Sequence, residues 1–478
     1  MDTKPLVIDL DGTLIKTDLL FESANDFIIR HPFQVIRLAG WLAAGKSTLK
    51  AKLANASDID PASLPYNEPL IAWLRHQKSQ NRKMILATAS HRSLAEIVAR
   101  HLDLFDEVLA TEGTTNLKAR HKRDLLVYRF GERGFDYVGN DASDLPVWKA
   151  ANLAYVTSSS GSLVTRAKAL GNVAQIFPDG RPSILKSLFK AMRPHQWVKN
   201  LLVFVPLLAA HAYAEPSRIF QAFIAFLVFG LTASSVYLLN DMVDIADDRY
   251  HQRKRRRPFA SGDLSLLIGW TVWPLLLGTA FAIASFSMSS AFVAVLASYF
   301  VLTLAYSLRL KQSAIVDVIT LATLYTLRVI AGAVAIAAPL SFWLLTFSMF
   351  LFLSLAFIKR FSELKVARDN KKTGWIRGRG YIQGDLEVVS SMGTGAGYLA
   401  VLVLALYIQD SHTATLYQTP EIIWLACPLL LFWISRVWIF AHRGWMHDDP
   451  IVFAIKDRMS WIVGVCFVAV FWLAKVVT

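Results

Sequence analysis

The stretch NDMVDIADDRYHQRKRRRPFASGD, residues 240–263, sets acidic residues against basic ones between two segments apolar enough to lie in lipid. Asp241, Asp244 and Asp248 are spaced i, i+3, i+7, which on a continuous helix puts all three carboxylates on one face. Three such charges at a membrane mouth repel one another unless a cation sits among them, and oxygen ligands of this kind suit Mg2+ bridging to a diphosphate. The basic run that follows, with Lys254 and Arg257, can then hold phosphates. A charged interfacial loop would account for the arginines but not for three aspartates on one face. The stretch therefore predicts an anionic substrate, bound partly through a metal and partly through Lys and Arg.

On either side the chain is too apolar for an ordinary soluble protein: 54% of its 478 residues are hydrophobic and its mean hydropathy is +0.40. The apolarity is concentrated after Trp197, where runs near bilayer length recur at 199–214, 219–239, 264–287, 289–308, 315–338, 342–358, 394–409, 421–440 and 459–477. That predicts an all-α polytopic membrane domain of nine transmembrane helices over 190–478, behind a soluble α/β domain over 1–180. Lys and Arg crowd the connections 249–257 and 359–379, the latter including Lys371, Lys372 and Arg377, whereas 409–421 carries almost none. The charge rule for loops then puts the N-terminal domain in the cytoplasm of a multi-pass protein of the inner (cytoplasmic) membrane. Topology and anionic headgroups account for the net charge of +14, and no RNA- or DNA-reading pattern supports a nucleic-acid partner. Cys427 and Cys466 fall inside expected spans and imply no disulfide framework, and the N-terminus has no cleavable leader pattern.

In PLVIDLDGTLIKTD an apolar run delivers Asp9 and Asp11 to the end of an expected strand, with Gly12 opening a turn. Carboxylates at i and i+2 on a strand tip point the same way, so they can share Mg2+, one as nucleophile and one as proton donor. The stretch resembles the first motif of the haloacid dehalogenase superfamily, and KMILATAS, TTNLKARHK and DYVGNDASDLPVW follow in that family's order. The resemblance implies a Rossmann-like fold with a helical cap over about 19–80. It makes Asp9 the phosphorylated nucleophile and Asp11 the acid/base, has Thr88 and Lys118 hold the phosphoryl group, and completes the metal site with Asp141 and Asp144. Asn140 stands where the family often has Asp, so either Asp141 substitutes or metal affinity is reduced. Within the cap, GWLAAGKS at 40–47 satisfies the pattern of a phosphate-binding loop, but its bulky, helix-forming residues lack the preceding strand such a loop needs.

The motif NDMVDIADD resembles the N-D-x-x-D-x-x-x-D signature of the UbiA superfamily of intramembrane prenyltransferases, whose members have nine transmembrane helices, and places Asn240 in the site. MRPHQWVKNLLVF at 192–204, KRRRPFASG, AYSLRLK, LRVIAGA, KRFSEL at 359–364 and HDDPIVFAIKDR at 447–458 are similar to the decaprenyl-phosphate phosphoribosyltransferase branch. The branch implies phosphoribosyl diphosphate as donor and a polyprenyl phosphate lipid as acceptor. Arg193, Lys199, Asn200, Tyr306, Lys311 and Arg328 join the expected substrate-binding set. Asp317 and Arg328, about three turns apart, share one face of a span, and ionisable groups at that depth point to function. Prenyl transfer to an aromatic ring commonly employs a second acidic motif after span six, where this chain has Lys359, Arg360 and Glu363. A UbiA-type prenyltransferase acting on an aromatic or small acceptor is the competing enzyme. A transporter or scaffold would show broken paired helices or an internal repeat, and neither is present. Association of the chain with copies of itself is left open.

Overall fold

The computed structural model describes residues 4–112, 117–369, 374–375, 379–410, 416–446 and 449–477. Lys371, Lys372, Arg377, His447 and Asp448, as well as 114–116 of TTNLKARHK, lie outside the described residues. The chain divides into two compact units: Met1–Met192 with Tyr237–Trp273, and Arg193–Val236 with Pro274–Thr478.

The first unit is built on a parallel sheet of, among the described residues, six strands: β1 Leu6–Ile8, β2 Met84–His91, β3 Glu107–Thr111, β4 Asp136–Gly139, β5 Ala154–Thr157 and β6 Val173–Phe177. Their order is β3-β2-β1-β4-β5-β6. Parallel strands need long crossovers, and the strand at the middle of the sheet, β1, is apolar throughout. Leu6, Val7 and Ile8 are fully buried, paired with 84–86 on one side and 136–138 on the other. β1 is thus central, and the chain leaving it carries Asp9 out at the carboxyl edge of the sheet. Gly12 makes the turn beyond at φ +76°, where a Cβ would run into the Asn140 amide.

Between β1 and β2 stand four helices: α1 Leu19–Arg30, α2 Ile36–Ala43, α3 Lys46–Ala56 and α4 Glu68–Ser79. Asp18 caps α1 by accepting from the Leu20 amide. The imitation phosphate loop is the end of α2 followed by a break at Gly45, φ +115°, with no strand before it.

Segment 237–273 belongs to this unit because α1 holds it. Glu22 takes a two-pronged ion pair from Arg249, at 2.6 and 3.2 Å, with both side chains at least 94% buried. Asn25 donates to the Met242 carbonyl at 3.0 Å and accepts from the Trp270 indole at 2.9 Å. Tyr250 hydrogen-bonds Asp60, and Arg249 also donates to the Ala260 carbonyl.

In the whole chain, eight helices among the described residues are long and apolar enough to cross a membrane: Pro216–Val243, Leu266–Ser287, Ser290–Leu308, Val316–Ala335, Phe342–Asp369, Gln383–Ile408, Pro420–His442 and Arg458–Val476. The expectation of nine fails at its first member. Residues 199–214 fall in a 3-10 helix, Pro194–Phe204, and short helical pieces at Val205–Ala209 and Ala212–Ala214. Pro206, inside the expected span, lacks the amide that a continuous helix requires. This broken segment packs on Val316–Ala335, where Gly332 leaves room for the Val203 carbonyl. Val316–Ala335 is itself central, 67% of its apolar window being buried, against 17% for Leu266–Ser287, Ser290–Leu308 and Arg458–Val476.

The Glu22–Arg249 pair carries a direct expectation. Removing one partner of a buried pair strands the other and costs about 3–5 kcal/mol. Glu22→Ala should lower the thermal unfolding midpoint of the full chain in detergent, and adding Arg249→Met should restore part of the loss. An unchanged midpoint in Glu22→Ala would show that the pair does not hold segment 237–273.

Candidate functional site

At the carboxyl edge of the sheet, Asp9 is buried and its Oδ1 lies 2.6 Å from the ammonium of Lys122, on the helix Arg120–Phe130. Burial foremost pushes the Asp9 carboxyl up, to about 7, with Lys122 opposing and Asp144 and Asp11 adding to the rise. Lys122 also donates to Tyr137, whose hydroxyl donates to Asp144. Asp11 accepts from the Leu19 amide at 2.9 Å, Thr88 at 3.1 Å and Ser90 at 2.7 Å, and burial raises its carboxyl to about 6. The structure therefore brings Asp9, Asp11 and Thr88 together as the spacing predicts.

Three expectations for this site change. The lysine on Asp9 is Lys122, and Lys118 is exposed just before the helix. The readable signal was burial spacing, since Lys122 shares its helical face with buried Leu126, one turn on. Asp144 accepts the amides of Asn140 and Asp141 and the Tyr137 hydroxyl, so its carboxylate braces the loop. Asp141 is exposed and caps a short turn through the Ser143 amide, whereas Asn140 is the residue that reaches Thr13 at 3.0 Å. Among the described residues no three His, Cys, Asp or Glu side chains converge as a metal set, here or elsewhere. At Asp9 the positive charge beside the carboxylate is that of Lys122.

In segment 240–263 the structure brings two of the three aspartates, Asp241 and Asp248, onto one guanidinium. The helix Pro216–Val243 stops before Asp244, which forms the N-terminal boundary of Ile245–Tyr250, so the three do not share one uninterrupted helix. Asp241 and Asp248, each side chain 99% buried, both meet the Arg257 guanidinium, at 3.1 and 2.6 Å. Lys254 stands 3.8 Å from Asp248. Burial raises the Asp248 carboxyl, with Arg257 and then Lys254 pulling it back. The remaining oxygen of Asp248, Oδ1, has no hydrogen bond. Two buried carboxylates are a fitting set for Mg2+, which is usually held by one or two carboxylates and completed by substrate phosphates. Asn240 precedes the pair in the last turn of the same helix and is half-buried.

The second unit holds the cationic residues. Lys199 and Lys359 converge on Asp449, at 2.8 and 3.4 Å. Burial opposes ionisation of Asp449, but the two lysines overrule it and hold its carboxyl well below the usual range. Asp449 was not singled out in the sequence, although Asp-Pro at the head of Pro450–Lys456 marks it as a helix cap. His195 is lowered by burial first and then by Arg193, Lys199 and Lys456, a sign of concentrated positive charge. Arg193 adopts a left-handed turn, φ 52°, and Lys311 lies in the short turn Leu310–Gln312.

Five expected substrate ligands here, Asn200, Tyr306, Arg328, Arg360 and Glu363, are committed to protein groups. Arg328 donates to Asn200 at 2.9 Å, Tyr299 at 2.8 Å and the Leu324 carbonyl, with its guanidinium 4.8 Å over the Tyr299 ring. It does not meet Asp317. Three helical turns amount to about 16 Å along the axis, so a shared face does not bring them into contact. Asp317 instead pairs with Arg360 at 2.7 Å, which also binds Glu363 and Tyr306. Arg379 joins Glu363 and Tyr306, giving two acids and two arginines. Tyr381 donates to Asp317 and accepts from the Ile315 amide, holding Ile315 at φ 67°, a strained conformation for a β-branched residue.

Residues 201–462 match the UbiA prenyltransferase family. An uncharacterized protein of Sinorhizobium fredii, y4nM, is 35% identical over 98% of this chain and 91% of its own length. The nodulation protein NoeC of Azorhizobium caulinodans is 39% identical over 57% of this chain and 87% of that protein. A decaprenyl-phosphate phosphoribosyltransferase of Mycolicibacterium smegmatis is 32% identical over 60% of this chain and 91% of that enzyme. The paired aspartates of segment 240–263, the membrane-spanning helices and these matches agree: the chain belongs to the UbiA prenyltransferase family.

Proposed function

We propose that the chain transfers phosphoribose from phosphoribosyl diphosphate to a polyprenyl phosphate at the cytoplasmic face of the inner membrane. The proposal also gives the Asp9 domain the role of phosphatase for the resulting 5-phosphate. The observation that carries the first part is the pairing of Asp241 with Asp248, against Lys359 and Arg360 where a second acidic motif would serve prenyl diphosphate. The named activity of the Mycolicibacterium smegmatis relative supports the same choice.

Asp241 and Asp248 would hold Mg2+, which when bound stabilises charge on the departing diphosphate. Arg257 and Lys254, with side chains 26% and 46% exposed, have room to move their charge onto phosphate oxygens. In the second unit by itself, Lys199 and Lys359 carry one positive charge more than Asp449 cancels. An oxygen of the lipid phosphate attacks the ribose C1 as the bond to diphosphate breaks, and diphosphate leaves with the electron pair. The nucleophile is already ionised, so no general base is required.

At the other site, the Asp9 carboxylate attacks the phosphomonoester phosphorus, and Asp11 gives its proton to the departing ribose oxygen. Water then hydrolyses the aspartyl phosphate, returning its proton to Asp11. The raised carboxyl of Asp11 suits it to carry a proton near neutral pH. Lys122 offsets the charge that develops on the transferring group.

Protein in lipid discs with Mg2+, phosphoribosyl diphosphate and polyprenyl phosphates should yield a phosphoribosyl or ribosyl lipid, identified by mass. Product only from a prenyl diphosphate and an aromatic acceptor would overturn the assignment. Asp241→Ala and Asp248→Ala should each slow transfer by about 10²-fold or more while leaving the protein folded.

For the phosphatase, Asp9→Asn should accumulate the phosphorylated lipid at an unchanged transfer rate. Lys122→Met should cut hydrolysis by about 10²-fold, whereas Lys118→Met should leave it within about threefold. Identical lipid products from wild type and Asp9→Asn would remove the phosphatase from the reaction.

Cys placed at 249–257 should react with an impermeant label only after cells are opened. Labelling from outside intact cells would reverse the topology.

A further inference from the structure

A helix on a soluble domain ordinarily turns its large apolar side chains inward, and α2 does the opposite. Phe33, just before it, is 99% exposed, Ile36 82% and Leu42 51%. Its inward contacts are made by half-buried Leu38 and Trp41, the latter 5.0 Å from the Phe27 ring of α1. The helix Ile184–Met192 in the same unit repeats the inversion. It buries small Ser187 and Ala191 and exposes Ile184, Leu185 and Phe189. Arg30, Arg37 and Lys46 flank the first apolar group, and Lys186 and Lys190 lie within the second.

Membrane level within this unit is marked by the ends of two spanning helices that fall in it. Asn25 of α1 is bonded to the Met242 carbonyl and the Trp270 indole, which belong to the spanning helices Pro216–Val243 and Leu266–Ser287. From Asn25 the chain runs five residues, about 7.5 Å of helix, to the end of α1 and then into Phe33.

We infer that segment 33–44 lies in the lipid surface as a monotopic helix, the bilayer being the partner that its exposed apolar side chains fit. Burying such a face at the headgroup boundary stabilises it in proportion to area, and flanking cations add attraction to anionic lipid. A bilayer is favoured over a second copy or a soluble partner because the spans bonded to α1 bring the membrane to this unit. The GWLAAGKS stretch is thus an anchor in place of a nucleotide cradle. α3 follows the anchor, and its Lys50 donates to the Ala89 carbonyl between Thr88 and Ser90, whose hydroxyls hold Asp11. On the phosphatase reading proposed above, the substrate class of the Asp9 site is then a phosphomonoester borne by a membrane lipid.

The test uses the full chain with Cys427 and Cys466 replaced by Ala and a single Cys at Phe33, Leu42 or Tyr128, each carrying an environment-sensitive fluorophore. Tyr128 is 89% exposed and serves as the aqueous control. In vesicles of phosphatidylcholine and phosphatidylglycerol, nitroxide-labelled lipid should quench positions 33 and 42 at least about threefold more than position 128. Equal quenching at all three overturns the inference, as does a label at 33 that responds to protein concentration and not to lipid quencher, the mark of a second copy.

A functional arm separates this inference from the phosphatase reading. Phe33→Asp with Ile36→Asp should slow hydrolysis of a vesicle-embedded phosphomonoester by about tenfold or more and leave p-nitrophenyl phosphate hydrolysis unchanged. Strong quenching with no hydrolysis of either substrate by wild type would keep the anchor and overturn the assigned substrate class. An equal loss on both substrates in the double variant would overturn that class as well.

Discussion

A carboxylate taken out of water has to meet positive charge, and this chain satisfies that requirement repeatedly. Asp9 meets Lys122, Glu22 meets Arg249, Asp241 and Asp248 share Arg257, Asp317 meets Arg360, and Asp449 takes two lysines. Leaving any of these acids buried alone would cost several kcal/mol. The pairs are not equivalent in what they leave for a ligand. Asp317, Arg360, Glu363 and Arg379 cancel one another and brace the membrane unit. At Asp449 a positive charge remains uncancelled, and Arg257 is partly exposed where it serves its two aspartates. Sites that can exchange a protein partner for a phosphate or a metal are of this second kind.

Much of the grouping of the candidate-site residues was legible because strand tips and short helical spacings translate directly into direction. Asp9 and Asp11 are two residues apart at the end of β1, and Asp241 and Asp248 are two turns apart. Position along a longer path was less legible. The shift from Lys118 to Lys122 depends on where the helix Arg120–Phe130 begins, and Ala119, at φ 49°, delays that start beyond Lys118. The expected single helix under the three aspartates is divided at Asp244, which stands between Pro216–Val243 and Ile245–Tyr250. The expected span at 199–214 is not one helix because hydropathy counts apolar residues and ignores Pro206 among them. Arg328 shows the same limit, since a common helical face says nothing about distance along it.

Helix α1 explains why the two chemistries are not simply strung together. Its first residue, Leu19, donates its amide to Asp11, while Glu22 and Asn25, one and two turns on, grip the segment that carries Asp241 and Asp248. One short element therefore supports both the strand tip that carries Asp9 and Asp11 and the segment that carries Asp241 and Asp248. A movement of α1 felt at either end is transmitted over less than three helical turns.

The grip of Glu22 on Arg249 also sets an order of events during synthesis. The partners are 227 residues apart, so a ribosome adding about 5–20 residues per second makes the arginine roughly 10–45 s after the glutamate. Through that interval the sheet can close, but the outer face of α1 still has a carboxylate that needs water. The N-terminal domain is then complete in its sheet and unfinished on one flank until the first long hydrophobic helix, Pro216–Val243, has been made and the loop behind it has emerged. Membrane insertion becomes the last folding step of a domain that itself contains no complete transmembrane helix.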